Sequence, residues 1–237
     1  MPAATEPTMG FGSATNSAAA PPTTLSTLVG LALAFGWPVS LYIPGLSTHK
    51  VTNVHDIVVN VWVKWLVTVV LGVIAFRIQR RAPVEFGLRG LGWRDGLAAL
   101  GGLVVAFLAS GIASHMVALT SNATDLQKLA AVPVGWRVAL VLTAAICEEF
   151  MYRGFGIEEL TFLIGSRWMA AVLSLVLFTV SHVSLYGLSA ALVIPGAVGA
   201  VLTGLYLWRR NLPSCILMHA IIDGIFVVLV PSLMKAH

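Results

Sequence analysis

Charged residues are scarce in this chain. Of its 237 residues only 10% are Asp, Glu, Lys or Arg, whereas 58% are hydrophobic, and the mean hydropathy is +0.90. Water-soluble domains carry about a quarter charged residues, so this chain has too few charged side chains to cover a soluble globule. The composition excludes soluble dehydrogenases, nucleic-acid-binding modules and secreted disulfide scaffolds, and it predicts a polytopic helical membrane protein.

Cysteine and N-terminal basic residues are also sparse. The two cysteines, Cys147 and Cys215, lie in apolar stretches and predict neither a disulfide framework nor a CxxC metal site. Residues 1–24 contain no Lys or Arg, so they lack the positively charged start of a secretory signal. Because this segment is rich in Ala, Pro, Thr and Ser, we predict a disordered tail.

Apolar stretches follow this tail, each near the roughly 20 residues that cross a bilayer as a helix. We predict an all-α transmembrane bundle of about seven spans, and the pattern is also compatible with six or eight. The predicted spans are 25–46, 55–76, 96–119, 135–163, 167–186, 188–208 and 213–234.

Arginines are concentrated in three loops that fall on one side of this seven-span arrangement. They are Arg77, Arg80, Arg81, Arg89 and Arg94 after the second span, Arg167 after the fourth, and Arg209 and Arg210 after the sixth. Basic loops remain in the cytoplasm, so we expect the N-terminus and these loops there, in a bacterial inner membrane. The net charge of +4 then reflects membrane orientation, and we expect no nucleic-acid partner.

Ionisable side chains within the spans are concentrated in the second half of the chain. Such groups are costly in hydrocarbon and mark functional sites by default. They are Glu148, Glu149 and Arg153 in the fourth span, His182 in the fifth, and His219 and Asp223 in the seventh. A spacing of four residues places Glu149 with Arg153, and His219 with Asp223, on one helix face.

The depths of these side chains allow them to meet. Glu149 and His182 each lie about 16 residues, or about 24 Å, from the turn that joins their spans. Asp223 lies about 16 Å from the next turn on the same membrane side. Carboxylates and histidines in one dry pocket can activate water, so we predict a polar cluster of this kind near mid-membrane.

Three motifs carry a resemblance to a known family. EEFMYR fits EExxxR, FTVSH fits FxxxH, and HAIID is close to HxxxN or HxxxD. Their order and spacing resemble the CPBP family of CAAX proteases and bacteriocin-processing enzymes, which includes the type II CAAX prenyl endopeptidase (the Ras-converting enzyme). The resemblance covers 85–234 and includes FGLRGLGWRDG before the third span. We therefore divide the chain into the tail at 1–24, N-terminal transmembrane helices at 25–84 and a CPBP-like catalytic core at 85–237.

The resemblance implies roles for the first two motifs. Glu148 would polarise the attacking water, and His182 would share in holding or activating that water. An ion pair between Glu149 and Arg153 would orient the helix. Phe178, the first residue of the second motif, would support the motif or the substrate pocket.

The third motif, His219 and Asp223, would stabilise the reaction intermediate. Where family members carry Asn at the last position, its amide can donate to the oxyanion, which an ionised Asp cannot do. Asp223 is therefore protonated, orients His219, or ligates a metal. The family has been classed both as metalloproteases and as metal-free glutamate proteases, so no cofactor is certain. A divalent metal such as zinc could be held by Glu148, His182, His219 and Asp223.

We therefore predict an intramembrane endopeptidase, of glutamate or metallo type, that hydrolyses a membrane-anchored or lipid-modified (CAAX-like) polypeptide. Its partners would be that substrate and the lipid bilayer. One alternative is a non-proteolytic membrane immunity or scaffold protein of the same fold. An ion-coupled transporter ranks last, because such proteins more typically show inverted repeats and interrupted helices in both halves.

Three further ionisable residues receive simpler interpretations. Glu158 and Glu159 approach the cytoplasmic end of the fourth span, where we expect them to be solvated. Lys64, in the second span, is expected to be a snorkelling or interfacial group.

Overall fold

The computed structural model describes residues 23–40, 53–116, 123–183 and 188–235. These residues form eight helices, which confirms the predicted all-α class; residues 1–22 of the predicted tail lie outside the description. The helices are α1 (Thr24–Ser40), α2 (Val54–Val73, continued by Ile74–Ile78), α3 (Trp93–Met116), α4 (Ala123–Ala131), α5 (Val134–Glu148, Glu149–Gly156 and Ile157–Ile164), α6 (Arg167–Ser181), α7 (Leu188–Arg209) and α8 (Leu212–Asp223, Gly224–Leu229 and Val230–Lys235).

Each of the seven predicted spans contains one of these helices, and α4 is an additional short helix of 9 residues. Among the described residues, four helices are long and apolar enough to cross a membrane: Val54–Ile78, Trp93–Ile112, Leu188–Arg209 and Leu212–Met234. The apolar parts of α1 and α6 are shorter, and α5 is long but carries the charged motif. The protein is thus an integral membrane protein with a helical bundle.

The distribution of polar and apolar side chains is that of a membrane protein. Large hydrophobic side chains such as Trp62 and Leu108 lie on the outer surface, whereas Glu149, Arg153 and Glu159 are buried. Lipid solvates apolar side chains but not charged ones, so ionisable groups in such proteins face the bundle interior. The interior is therefore where the chemistry of this chain lies.

Helix α5 occupies the centre of the bundle and contacts α1, α2, α6 and α8. It ends at Gly165, whose φ of +75° lies in the left-handed region that glycine tolerates best. Ser166 then accepts a hydrogen bond from the Met169 N–H and begins α6. Because this turn is so short, α5 and α6 run antiparallel, and residues equally distant from the turn lie at similar depth.

The middle of α5, Glu149–Gly156, is wound more widely than an α-helix. The Ile157 N–H bonds to the Tyr152 carbonyl, five residues back, and every side chain of this segment is buried. Wide turns of this kind occur frequently at functional sites. The segment starts directly after Glu148, so it carries the rest of the first motif.

The expectation that Glu158 and Glu159 are solvated is wrong. Both carboxylates are buried, and each accepts several hydrogen bonds. The donors to Glu159 are Thr27, Gln79 and Arg81, at 2.5, 2.8 and 2.6 Å; those to Glu158 are Tyr206, Arg167 and Arg210. Helix α1 and the segment after α2 fold over this end of α5, so the carboxylates bind protein donors in place of water.

Candidate active site

Glu148, the first residue of the first motif, lies between two basic side chains from other helices. The Lys64 ammonium of α2 donates to Glu148 Oε1 at 2.5 Å, and His182 Nε2 lies 3.7 Å from Glu148 Oε2. Glu148 Oε2 is buried and has no hydrogen-bond partner among the described residues. One carboxylate oxygen is thus occupied by a cation, and the other faces an imidazole.

The side chain of His182, at the end of α6, is held by the backbone of that helix. Its Nδ1 lies 2.7 Å from the Phe178 carbonyl oxygen, one turn back. A carbonyl only accepts, so Nδ1 carries the proton in this contact, and the neutral ring has its lone pair on Nε2. The nitrogen that faces Glu148 is therefore the one that can accept a proton.

The predicted ion pair within the first motif is present. Arg153 Nη1 donates to Glu149 Oε1 at 2.9 Å, and Nη2 donates to the Gly199 carbonyl of α7 at 3.1 Å. The guanidinium also lies 4.2 Å from the centre of the Phe178 ring, which in turn is 4.5 Å from the His182 ring. Phe178 is 2% exposed and packs against both Arg153 and His182, so it supports the motif; a role in the substrate pocket stays a prediction.

His219, on α8, joins the third motif to the first. Its Nδ1 lies 2.8 Å from Glu149 Oε1, and its Nε2 lies 3.4 Å from Asp223 Oδ2. Both ring nitrogens therefore face carboxylates. Of the three roles that the sequence left open for Asp223, this contact favours orientation of His219. The Asp223 side chain keeps 31% exposure and that of His182 19%, so both are partly exposed.

The two adjacent glutamates of the first motif serve different neighbours. Successive residues on a helix point about 100° apart, so Glu148 faces α2 and α6 while Glu149 faces α8 and Arg153. The structure thereby brings all six predicted catalytic residues into one cluster, which the depths of the motif residues allow. The role of each residue in catalysis stays a prediction.

The four candidate metal ligands do not fit a metal ion in this arrangement. No three His, Cys, Asp or Glu side chains of the described residues converge as metal ligands. Glu148 is paired with an ammonium, and both nitrogens of His219 face carboxylates. We therefore derive no chemical step through a metal.

Lys64 is the site residue that the sequence argument missed; its expected interfacial position is wrong. Its side chain is only 12% exposed and points into the bundle. The signal in the sequence that could have identified Lys64 is its depth along α2. Lys64 lies 14 residues before the end of α2, or about 21 Å from the Arg-rich side, and the same count gives about 24 Å for Glu148 and about 22 Å for His182.

Comparison with known proteins bears on the second half of the chain. Residues 130–225 match the family model of the type II CAAX prenyl endopeptidase Rce1-like proteins. The resemblance is confirmed there. All three motifs lie inside the matched segment, whereas Lys64 lies outside it. No curated protein and no solved structure matches the chain. At the family level the match supports a CAAX-type protease acting on peptide substrates in a membrane.

Proposed function

We propose that this protein is an intramembrane endopeptidase of the glutamate type that cuts a membrane-anchored or lipid-modified (CAAX-like) polypeptide near its terminus. One observation carries the proposal: the buried Glu148 Oε2 lacks a hydrogen-bond partner among the described residues and faces His182 Nε2 at 3.7 Å. This separation exceeds a direct hydrogen bond. A water molecule to one side of this pair could donate one proton to each of the two atoms.

The chemistry follows from this placement. Glu148 accepts a proton from the water while the water oxygen forms a bond to the carbonyl carbon of the substrate. The π electrons of that carbonyl move to the carbonyl oxygen. The resulting tetrahedral intermediate collapses by breaking its C–N bond, and the leaving amine takes the proton from Glu148. General base and acid catalysis of this kind contributes about 10²- to 10⁴-fold.

His219 is the proposed stabiliser of the developing oxyanion. An imidazolium has an N–H on each nitrogen, and one of these is held by Glu149 at 2.8 Å. The other faces Asp223 in a long contact of 3.4 Å, so this N–H could donate to an oxyanion in place of Asp223. The orientation with the Arg-rich loops in the cytoplasm and a bacterial inner membrane remain part of the proposal.

The test compares the native protein with Glu148→Gln at matched membrane levels. We expect Glu148→Gln to lose at least about 100-fold in cleavage of an internally quenched, farnesylated CAAX peptide. Mass spectrometry of the termini of all membrane proteins in the same cells should show a small set that stays uncut only in the variant. Addition of a chelator to the native enzyme separates the glutamate-type from the metal-dependent reaction.

Full peptide cleavage by Glu148→Gln would refute the proposal. If no terminus differs while a loss-of-function phenotype persists in an inserted Glu148→Gln protein, an immunity or scaffold function replaces it.

A further inference from the structure

Lys64 places a cation against the proposed catalytic base from a helix outside the family match. A lysine in a lipid-facing helix usually extends its long side chain to the interface. Here the ammonium instead lies inside the bundle, 2.5 Å from Glu148 Oε1, with 12% exposure against 9% for the Glu148 side chain. We propose that Lys64 is a positioning residue: it keeps Glu148 ionised and turns the second carboxylate oxygen toward His182. This inference rests on the proposed function.

Without Lys64, the negative charge of the Glu148 carboxylate would be buried without a bound cation. An unpaired carboxylate in a low-dielectric interior is strongly disfavoured and takes up a proton. The Arg153 guanidinium is engaged by Glu149, by the Gly199 carbonyl and by the Phe178 ring. Lys64, in contrast, is bound directly to the Glu148 carboxylate and offsets its buried charge.

The two carboxylate oxygens of Glu148 have different neighbours. Lys64 is hydrogen-bonded to Oε1, while Oε2 is buried beside His182. An ammonium hydrogen bond to one oxygen fixes the rotation of the carboxylate plane. The oxygen that accepts the proton of the water is thereby held in place before the substrate arrives, which is the basis of preorganised catalysis.

Titratable or charged groups surround Glu148 on each neighbouring helix. Helix α2 contributes Lys64, α6 contributes His182, and α5 itself contributes the Glu149–Arg153 pair. Helix α8 contributes His219, which is bound to Glu149, with Asp223 behind it. Loss of Lys64 leaves Glu148 beside a second carboxylate without an ammonium of its own, so its buried charge would be poorly compensated.

The experiment measures kcat and KM for the farnesylated CAAX peptide between pH 5 and pH 10 in lipid nanodiscs. The variants are Lys64→Met, Lys64→Gln and Lys64→Arg, with Lys128→Met as a control that makes the same chemical change on α4. For Met and Gln we expect kcat at pH 7 to fall at least about 100-fold, with KM little changed and part of the activity regained at high pH. Lys64→Arg should stay within about 10-fold of native with a native pH profile, and Lys128→Met should match native.

Two results would overturn the inference. One is native activity at every pH in Lys64→Met or Lys64→Gln. The other is a loss of activity by the same factor at every pH, which would show a merely structural role. Lys64→Gln keeps the hydrogen bond without the charge, so it serves if Lys64→Met fails to insert. Glu148→Gln separates the two proposals. If it is inactive while the Lys64 variants behave as native, only the Lys64 inference fails; if it is fully active, the proposed function fails as well.

Discussion

Asp223 stands at the position where the resembled family carries Asn or Asp, and its neighbour explains how a carboxylate fits there. His219 lies between Asp223 and Glu149, with contacts of 3.4 and 2.8 Å. An imidazolium at His219, together with Lys64 and Arg153, would balance the three carboxylates of the cluster. A buried cluster without net charge is less costly than one with an excess of one sign.

Asp223→Asn removes one charge of the cluster but keeps a hydrogen-bond acceptor beside His219, so we expect it to cost less than loss of the side chain. The Asn carbonyl oxygen still accepts from His219 Nε2–H, so cleavage of the farnesylated CAAX peptide should fall by no more than about 10-fold, which is about 1.4 kcal/mol. Asp223→Ala removes the acceptor and should lose more activity than Asp223→Asn. Steady-state rates of both variants test this order. Equal losses in the two variants would contradict a role in orienting His219.

At the level of whole elements, the close approach of α6 and α7 positions two of the motifs. Gly199 of α7 lies directly against the Phe178 ring: a Cβ added there would lie 2.8 Å from Phe178 Cδ1 and 3.0 Å from Leu175 Cδ1. The Gly199 carbonyl also accepts from Arg153. Phe178 supports both Arg153 and His182, so any displacement of α7 at this contact changes the geometry of the site.

Gly199→Ala should therefore destabilise the protein and reduce its activity. Overpacking of a tight contact costs about 1–3 kcal/mol, which exceeds the gain of up to about 1 kcal/mol from Ala over Gly in a helix. Gly204→Ala, on the same helix, is the matched control, because nothing lies within 4 Å of its added Cβ. Thermal unfolding in detergent and peptide cleavage measure both effects. A shift of the unfolding midpoint in the same direction in both variants would contradict overpacking at Gly199.

At the scale of the whole molecule, the buried glutamates at the Arg-rich end of α5 hold the bundle together. Glu159 accepts from Thr27 of α1 and from Gln79 and Arg81, which follow α2. Glu158 accepts from the starts or ends of α6 and α7. These bonds connect the N-terminal helices to the segment that carries the motifs, so the two parts form one packed unit at this end.

Glu159→Gln should unfold more readily than the native protein. Its side chain is fully buried, and removal of one partner from a buried ion pair costs about 3–5 kcal/mol. Glu85→Gln is the control, because Arg81 also binds Glu85, whose side chain is 43% exposed; surface pairs contribute at most about 1 kcal/mol. Denaturant unfolding in mixed micelles measures the difference. Equal destabilisation by the two substitutions would contradict the structural role of Glu159.

Glu85 also gives this control a pH dependence of known sign. Partial burial favours its neutral form, but the Ala82 N–H and Arg81 outweigh this effect and lower the pKa of Glu85. A lowered pKa means that the contribution of Glu85 to stability is present above the pKa of the unfolded chain and is lost as the pH falls through the folded pKa. The small difference between Glu85→Gln and native should therefore vanish in acid.

The sequence by itself determined the membrane class, the helical bundle and the three motif segments. Hydropathy and the spacing of four residues are local properties, so they can be read without knowledge of the fold. The sequence also indicates that the motif side chains lie at similar depths, because short turns and the rise per residue fix the depth of each side chain. The pairing within each motif follows from the same periodicity.

The tertiary structure decided which partner each buried charge receives. Lys64 and Glu148 are 84 residues apart, and Thr27 and Glu159 are 132 apart. From the sequence pattern, Lys64 is expected at the interface and Glu159 in solvent. A local pattern contains no information on which other helix packs against the face that carries each residue. Only the packing of α1 and α2 around α5 removes these groups from water and lipid, and the cost of burying a charge alone then forces each into a pair.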